Sequence, residues 1–77
     1  MNDIDLTLPV AQVVENHPEL LDILVEVGFK PLANPIMRHT VGRRVSIKQG
    51  AKLNGLDLGV IQQTLEYNGY KVLGGEE

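Results

Sequence analysis

Val10, Val13 and Val14 recur at the i, i+3, i+4 spacing of one helix face, which predicts a short first helix over about residues 8–16. Thr7 reads as its N-cap, and Pro9 is tolerated in the first turn. His17-Pro18 stops it, because the residue before a proline is pushed out of the helical region. Pro18 then opens a second helix, with Glu19 favourable in its first turn. Leu20, Leu21, Ile23, Leu24, Val25 and Val27 give that helix a broad apolar face opposite Glu19, Asp22 and Glu26. Gly28 reads as the left-handed residue that ends it. Phe29, the single Phe, then folds back as a core anchor.

The stretch from Gly28 to Pro35 organises the rest. Pro31 and Pro35 bracket an irregular loop, and Asn34 before Pro35 reads as an N-cap with a first-turn proline. A third helix is therefore expected over roughly 35–41, burying Ile36, Met37 and Val41, with Arg38 and His39 outward and Gly42 as terminator. Ser46 caps a fourth helix from Ile47 to about Asn54, closed by Gly55. Asp57 caps a fifth, about 58–68, with Val60, Ile61, Thr64 and Leu65 toward the core and Asn68-Gly69 at its end. Asp3–Leu6 and Tyr70–Leu73 each alternate polar and apolar and are suited to pair as a two-stranded ribbon. The expected fold is all-α: a compact array of about five short helices, with that ribbon joining the N- and C-terminal segments. Residues 1–77 form one helical domain, ordered over about 3–73, with 74–77 as a flexible tail.

Charge changes the picture more than composition does. The net charge of −3 hides a segregation: residues 1–29 hold six acids and no Lys or Arg, whereas residues 30–56 hold six bases and no acid. Two explanations stand side by side. Acidic and basic helices balance each other inside one small bundle, or the basic segment is an anion-attracting face. There are no cysteines, so no disulfide framework or thiolate metal site staples the fold. No apolar run approaches the roughly 18–20 residues that cross a bilayer, and acids stand where a signal peptide carries bases. A soluble cytoplasmic protein without a membrane role is the expectation.

Few chemistries find their residues here. Ser46 is the only serine and already serves as a cap; His17 and His39 show no dyad spacing, so no catalytic residue and no enzyme is expected. Two histidines 22 positions apart among scattered carboxylates match no metal-ligand spacing, and no glycine-rich phosphate loop is present. No metal and no cofactor are expected. Residues 46–66 do read as a helix-turn-helix with Lys48 and Lys52 nearby, yet the second helix carries no Lys or Arg. Gln62 and Gln63 are its only candidates for reading base edges. The basic segment remains, with Lys30, Asn34 and Arg38 around the start of the third helix as a conceivable anion site. Arg43 and Arg44 extend the positive surface.

The order of these signals resembles a known family. A capped helix ending in a residue-Pro break, then Glu19-Leu20-Leu21-Asp22-Ile23-Leu24-Val25-Glu26-Val27-Gly28-Phe29, then a short loop ending in Pro35, is similar to the hybrid-cluster-protein-associated redox disulfide domain family, long described as a domain of unknown function. The later Ser46 and Gly55-Leu56-Asp57 to Leu65 helical pair matches its layout, so the resemblance spans about residues 4–73. Typical members carry Cys-x-x-Cys followed by Pro in the loop; here those positions are Pro31 and Asn34, with Pro35 retained. The resemblance thus implies the scaffold and an exposed functional loop, in a cysteine-free branch without the thiol chemistry. Together these readings predict a non-enzymatic accessory or interaction module that binds a protein partner or a small anionic ligand. Its surface is 30–44, with Lys30, Pro31, Asn34, Arg38, His39, Arg43 and Arg44 as binding residues. A helix-turn-helix nucleic-acid binder over 46–66 is the alternative. A thin core and apolar side chains such as Leu32, Ile36 and Met37 near the loop leave both a monomer and a weak homodimer open.

Overall fold

A computed structural model describes residues 2–75. In chain order these form strand β1 (Asp3–Asp5), helices α1 (Val10–Asn16) and α2 (Leu20–Val27), a 3-10 turn (Lys30–Ala33), helices α3 (Pro35–Arg44), α4 (Ile47–Leu53) and α5 (Leu58–Tyr67), and strand β2 (Lys71–Leu73). The architecture is mostly helical, as expected, but it is not strictly all-α. The two segments expected as a ribbon pair as parallel strands, with Asp3, Ile4 and Asp5 opposite Lys71, Val72 and Leu73. Parallel pairing needs a long crossover, and here all five helices supply it. Leu6 N–H donates to Leu73 O at 2.8 Å and Lys71 N–H to Asn2 O at 2.8 Å, extending the join at both ends.

The core is built by β1, α1, α2, α4, α5 and the segments beside them, whereas α3 and β2 give it no buried hydrophobic side chain. Ile4, Leu6, Leu20, Leu24, Ile47, Ile61 and Leu65 are sealed from solvent, and Val10, Val13, Phe29, Leu32 and Ala51 surround them. Phe29 is the anchor the pattern predicts: its ring packs where a methyl built on Gly50 of α4 would lie, 2.8 Å from Cε1. Helix boundaries follow local chemistry. Ser46 forms a full capping box with Gln49, each side chain bonded to the other's backbone N–H at 3.0 Å. The Asp57 carboxylate accepts from Gly59 N at 2.8 Å. Helices α4 and α5 close alike, on Asn54 and Asn68 side chains donating back to carbonyls one turn earlier and on Gly55 and Gly69 at positive φ.

Four details depart from the pattern. Thr7 does not cap α1; its N–H and hydroxyl both donate to Asp5 Oδ1, and Pro9 holds the cap position. Gly42 does not end α3, which runs on to Arg44. It is buried where α3 meets α1, and a methyl there would stand at ordinary contact distance, 3.4 Å, from Ala11 N. Ile36, Met37 and Val41 are not the buried side of α3, being 72%, 39% and 41% exposed. Val60 likewise faces outward on α5, where Ile61 and Leu65 suffice to hold the helix. Beyond β2, Gly74 turns at positive φ and Gly75 is half-buried; residues 76–77 of the expected tail lie outside the described residues.

Candidate interaction surface

Helix α3 is the most solvent-facing helix of the fold, with only Gly42 buried. It is held at its start by Asn34, whose Oδ1 accepts from Ile36 N at 2.9 Å and Met37 N at 3.4 Å. Pro35 removes a further N–H from the first turn. The carboxamide therefore occupies the place the sequence suggested for an anion, and Asn34 acts as a cap.

The helix divides two recesses. On the α1 side an open cleft of about 670 Å³ is lined by Arg38, His39 and Arg43 across from Gln12, Glu15 and Asn16. On the other side, between the 3-10 turn, α3 and α4, lies a small apolar groove of about 70 Å³. Phe29 and Leu32 form part of its lining, with Pro31, Met37, Val41 and Leu53 around them. Leu53, at the end of α4, is 75% exposed. An adjoining recess shares Val45 and Leu53 with the groove and adds Arg44 and Lys52.

The seven residues named from sequence therefore do not converge on one point. Arg38, His39 and Arg43 share the polar cleft, Pro31 lines the apolar groove, Arg44 sits beside it, Lys30 begins the 3-10 turn, and Asn34 caps the helix. Met37, Val41 and Leu53 were missed as surface residues because apolar side chains on a helix read as core. For Met37 and Val41 the available signal was scarcity: with Ile36 they make three large apolar side chains in the ten residues of α3, too few for a buried stripe.

The geometry also weighs the two accounts of the charge segregation. Among the described residues, Lys30, Arg38, Arg43, Arg44 and Lys52 make no ion pair with an acid within 4.0 Å; Lys48 has an interaction of its own. Lys30, Arg43, Arg44 and Lys52 are exposed, while Arg38 is half-buried in the cleft that Glu15 also lines. Elsewhere, one polar cluster ties the α1–α2 junction to the residue before β2. Tyr70 hydroxyl donates to Glu19 Oε2 at 2.6 Å, and His17 Nδ1 lies 3.6 Å from the same oxygen. The Tyr70 bond holds the Glu19 carboxyl below the usual carboxylate range, and the same bond pushes the Tyr70 phenol up. The α4–α5 pair exposes Val60, Gln63 and Tyr67 on its second helix and no base. No three His, Asp or Glu side chains gather to hold a metal ion, and no helix is long and apolar enough to cross a membrane, among the described residues.

Residues 4–61 match the family described as a domain of unknown function, DUF1858, and the chain belongs to it. The fold is similar to the crystal structure of the conserved domain protein from Streptococcus pneumoniae TIGR4. The two share 64% sequence identity over 96% of this chain and 94% of that one, with a TM-score of 0.93. No curated protein matches the chain at a significant level.

Proposed function

We propose that this protein is a non-enzymatic interaction module that binds a protein partner through the surface 30–44, built from the 3-10 turn and α3. One observation carries the reading: Lys30, Arg38, Arg43 and Arg44, which make no ion pair within 4.0 Å among the described residues, share surface 30–44 with apolar side chains left open to solvent. A helix kept only for stability buries its apolar residues; this one presents them beside uncompensated positive charge. A small anionic ligand is the less favoured occupant, because Asn34 already takes the first-turn N–H groups. The resemblance to the redox disulfide family supplies the idea of an exposed functional loop. Thiol exchange is closed to a chain with no cysteine.

The test is capture of partners from the native lysate by tagged wild type and by an Arg38→Glu/Arg43→Glu/Arg44→Glu variant whose helicity is checked by circular dichroism. A protein held by wild type and lost by the folded variant supports the reading. Nuclease-sensitive ultraviolet absorbance in the eluate transfers the assignment to a helix-turn-helix at 46–66. Identical eluates from both proteins remove surface 30–44 from consideration.

A further inference from the structure

The apolar groove between the 3-10 turn, α3 and α4 has walls and a floor. Phe29 at its base is 5% exposed, whereas Met37, Val41 and Leu53 at its lip are open to solvent. Its volume of about 70 Å³ suits a single branched or aromatic side chain rather than a cofactor. Lip residues Met37 and Val41 stand one turn apart on α3, the spacing at which an inserted side chain is gripped from one face. Methionine also adapts its shape to different occupants.

The charge around the groove selects among partners. Arg44 and Lys52 flank Leu53 on one side, and Lys30 precedes Pro31 on the other; no acid lines the groove or the recess beside it. A second copy docked by two-fold symmetry would set this positive rim against its own counterpart, which costs energy. A basic partner is excluded for the same reason. Nucleic acid would satisfy the charge and leave the apolar lip exposed.

We infer that the groove takes an acidic, amphipathic segment of a partner protein, seating one large apolar side chain between Met37, Val41 and Leu53 while flanking Asp or Glu residues meet Lys30, Arg44 and Lys52. This rests on the interaction-module reading and deepens it. The docking is helix-in-groove or short-motif recognition, in which an anchor supplies affinity and charge supplies register and encounter rate.

The experiment is selection of random linear peptides displayed on phage against the full chain, with counter-selection on Leu53→Glu. Leu53 is exposed, so this change spares the core. Enriched peptides are expected to carry one apolar anchor flanked by acids. They should bind at least about tenfold more weakly to Leu53→Glu and to the double variant Arg44→Glu/Lys52→Glu, and amide resonances of Met37, Val41 and Leu53 should shift on binding. Basic or neutral consensus peptides, peptides indifferent to both variants, or no enrichment overturn the inference. So does concentration-dependent self-association lost in Leu53→Glu, which would make a second copy the occupant. If the lysate experiment yields a partner dependent on Arg38, Arg43 and Arg44 while display yields no acidic peptide, this inference falls and the module reading stands. If both fail, both fall.

Discussion

Two glycines inside helices show how one hydrogen atom can matter in opposite ways. At Gly50 a methyl group would meet the Phe29 ring at 2.8 Å and Val45 Cγ1 at 3.4 Å. That ring is a stiff, buried side chain that must shift to admit the methyl, so Gly50→Ala is expected to lose about 1–3 kcal/mol to overpacking. The gain in helix propensity, about 0.8–1 kcal/mol, does not cover it. At Gly42 the nearest atoms to an added methyl are Ala11 N at 3.4 Å and Ala11 Cβ at 3.5 Å, ordinary contact distances. Propensity then dominates, and Gly42→Ala should be neutral or stabilising by up to about 1 kcal/mol. Urea denaturation of the pair checks the contrast; equal losses would mean that α1 and α3 are as tightly constrained as Phe29. The Glu19–Tyr70 bond makes a second residue-scale prediction. Because the folded Glu19 carboxyl is held below its unfolded value, its contribution is present above that unfolded value and is lost as pH falls through the folded one. Tyr70 has the opposite sense: its contribution is present at neutral pH and lost as pH rises through its raised folded value. Tyr70→Phe should therefore move the Glu19 midpoint upward in a carbon-13 carboxyl titration. The stability gap between variant and wild type should close at both pH extremes.

At the scale of elements, helices differ in what holds them. Helix α2 is secured by buried Leu20 and Leu24 and by Leu21, Ile23, Val25 and Val27 packed against the core. Helix α3 has little such support and depends on its ends and on the Gly42–Ala11 approach. Asn34→Ala should cost about 1 kcal/mol, within the usual range for a lost cap. Its first sign should be faster hydrogen exchange at Arg38, Thr40 and Val41, before any change at Leu24 or Leu65. Uniform loss of protection would show that α3 opens only with the whole molecule. This difference also explains what the sequence could convey. Elements with dense apolar periodicity, α2 and α5, were legible to within a residue or two, and caps at Asn34, Ser46 and Asp57 were legible because the cap chemistry is local. Gly42 was misread because a glycine late in a helix reads as a terminator, and its burial against Ala11 of α1 follows only from the packing of the two helices. The apolar groove was illegible for a related reason: exposure of Met37, Val41 and Leu53 depends on elements distant in sequence not covering them. The basic segment was visible as a segment, but its division between two recesses was not, since that follows from the α1–α3 and α3–α4 packing.

The molecule as a whole is closed by its shortest elements. Principal extents of 28 × 26 × 19 Å leave a thin core, and a chain of this length has on the order of 4–12 kcal/mol of total stability. The family match ends at residue 61, yet the fold does not: Leu65 lies in the sealed core, and Tyr70 and Val72 pack against it. Strand β2 also supplies the backbone partners of β1, without which Ile4 and Leu6, 1% and 0% exposed, lose part of their cover. Ending the chain after Gly69 removes the β1–β2 hydrogen bonds, the packing of two half-buried side chains and the Tyr70–Glu19 bond. Half-burial of Val and Tyr is worth about 1 kcal/mol or more each, and the hydrogen bonds of the strand pair add a comparable amount. The expected loss is thus about 2–4 kcal/mol, a large share of the total. A chain of residues 1–69 should melt far below the full chain. Thermal unfolding followed by circular dichroism distinguishes them. If the 1–69 chain kept the full melting temperature, the helices alone would define the domain. The strand pair would then be an accessory to the interaction surface on α3 rather than the clasp that holds the helices around it.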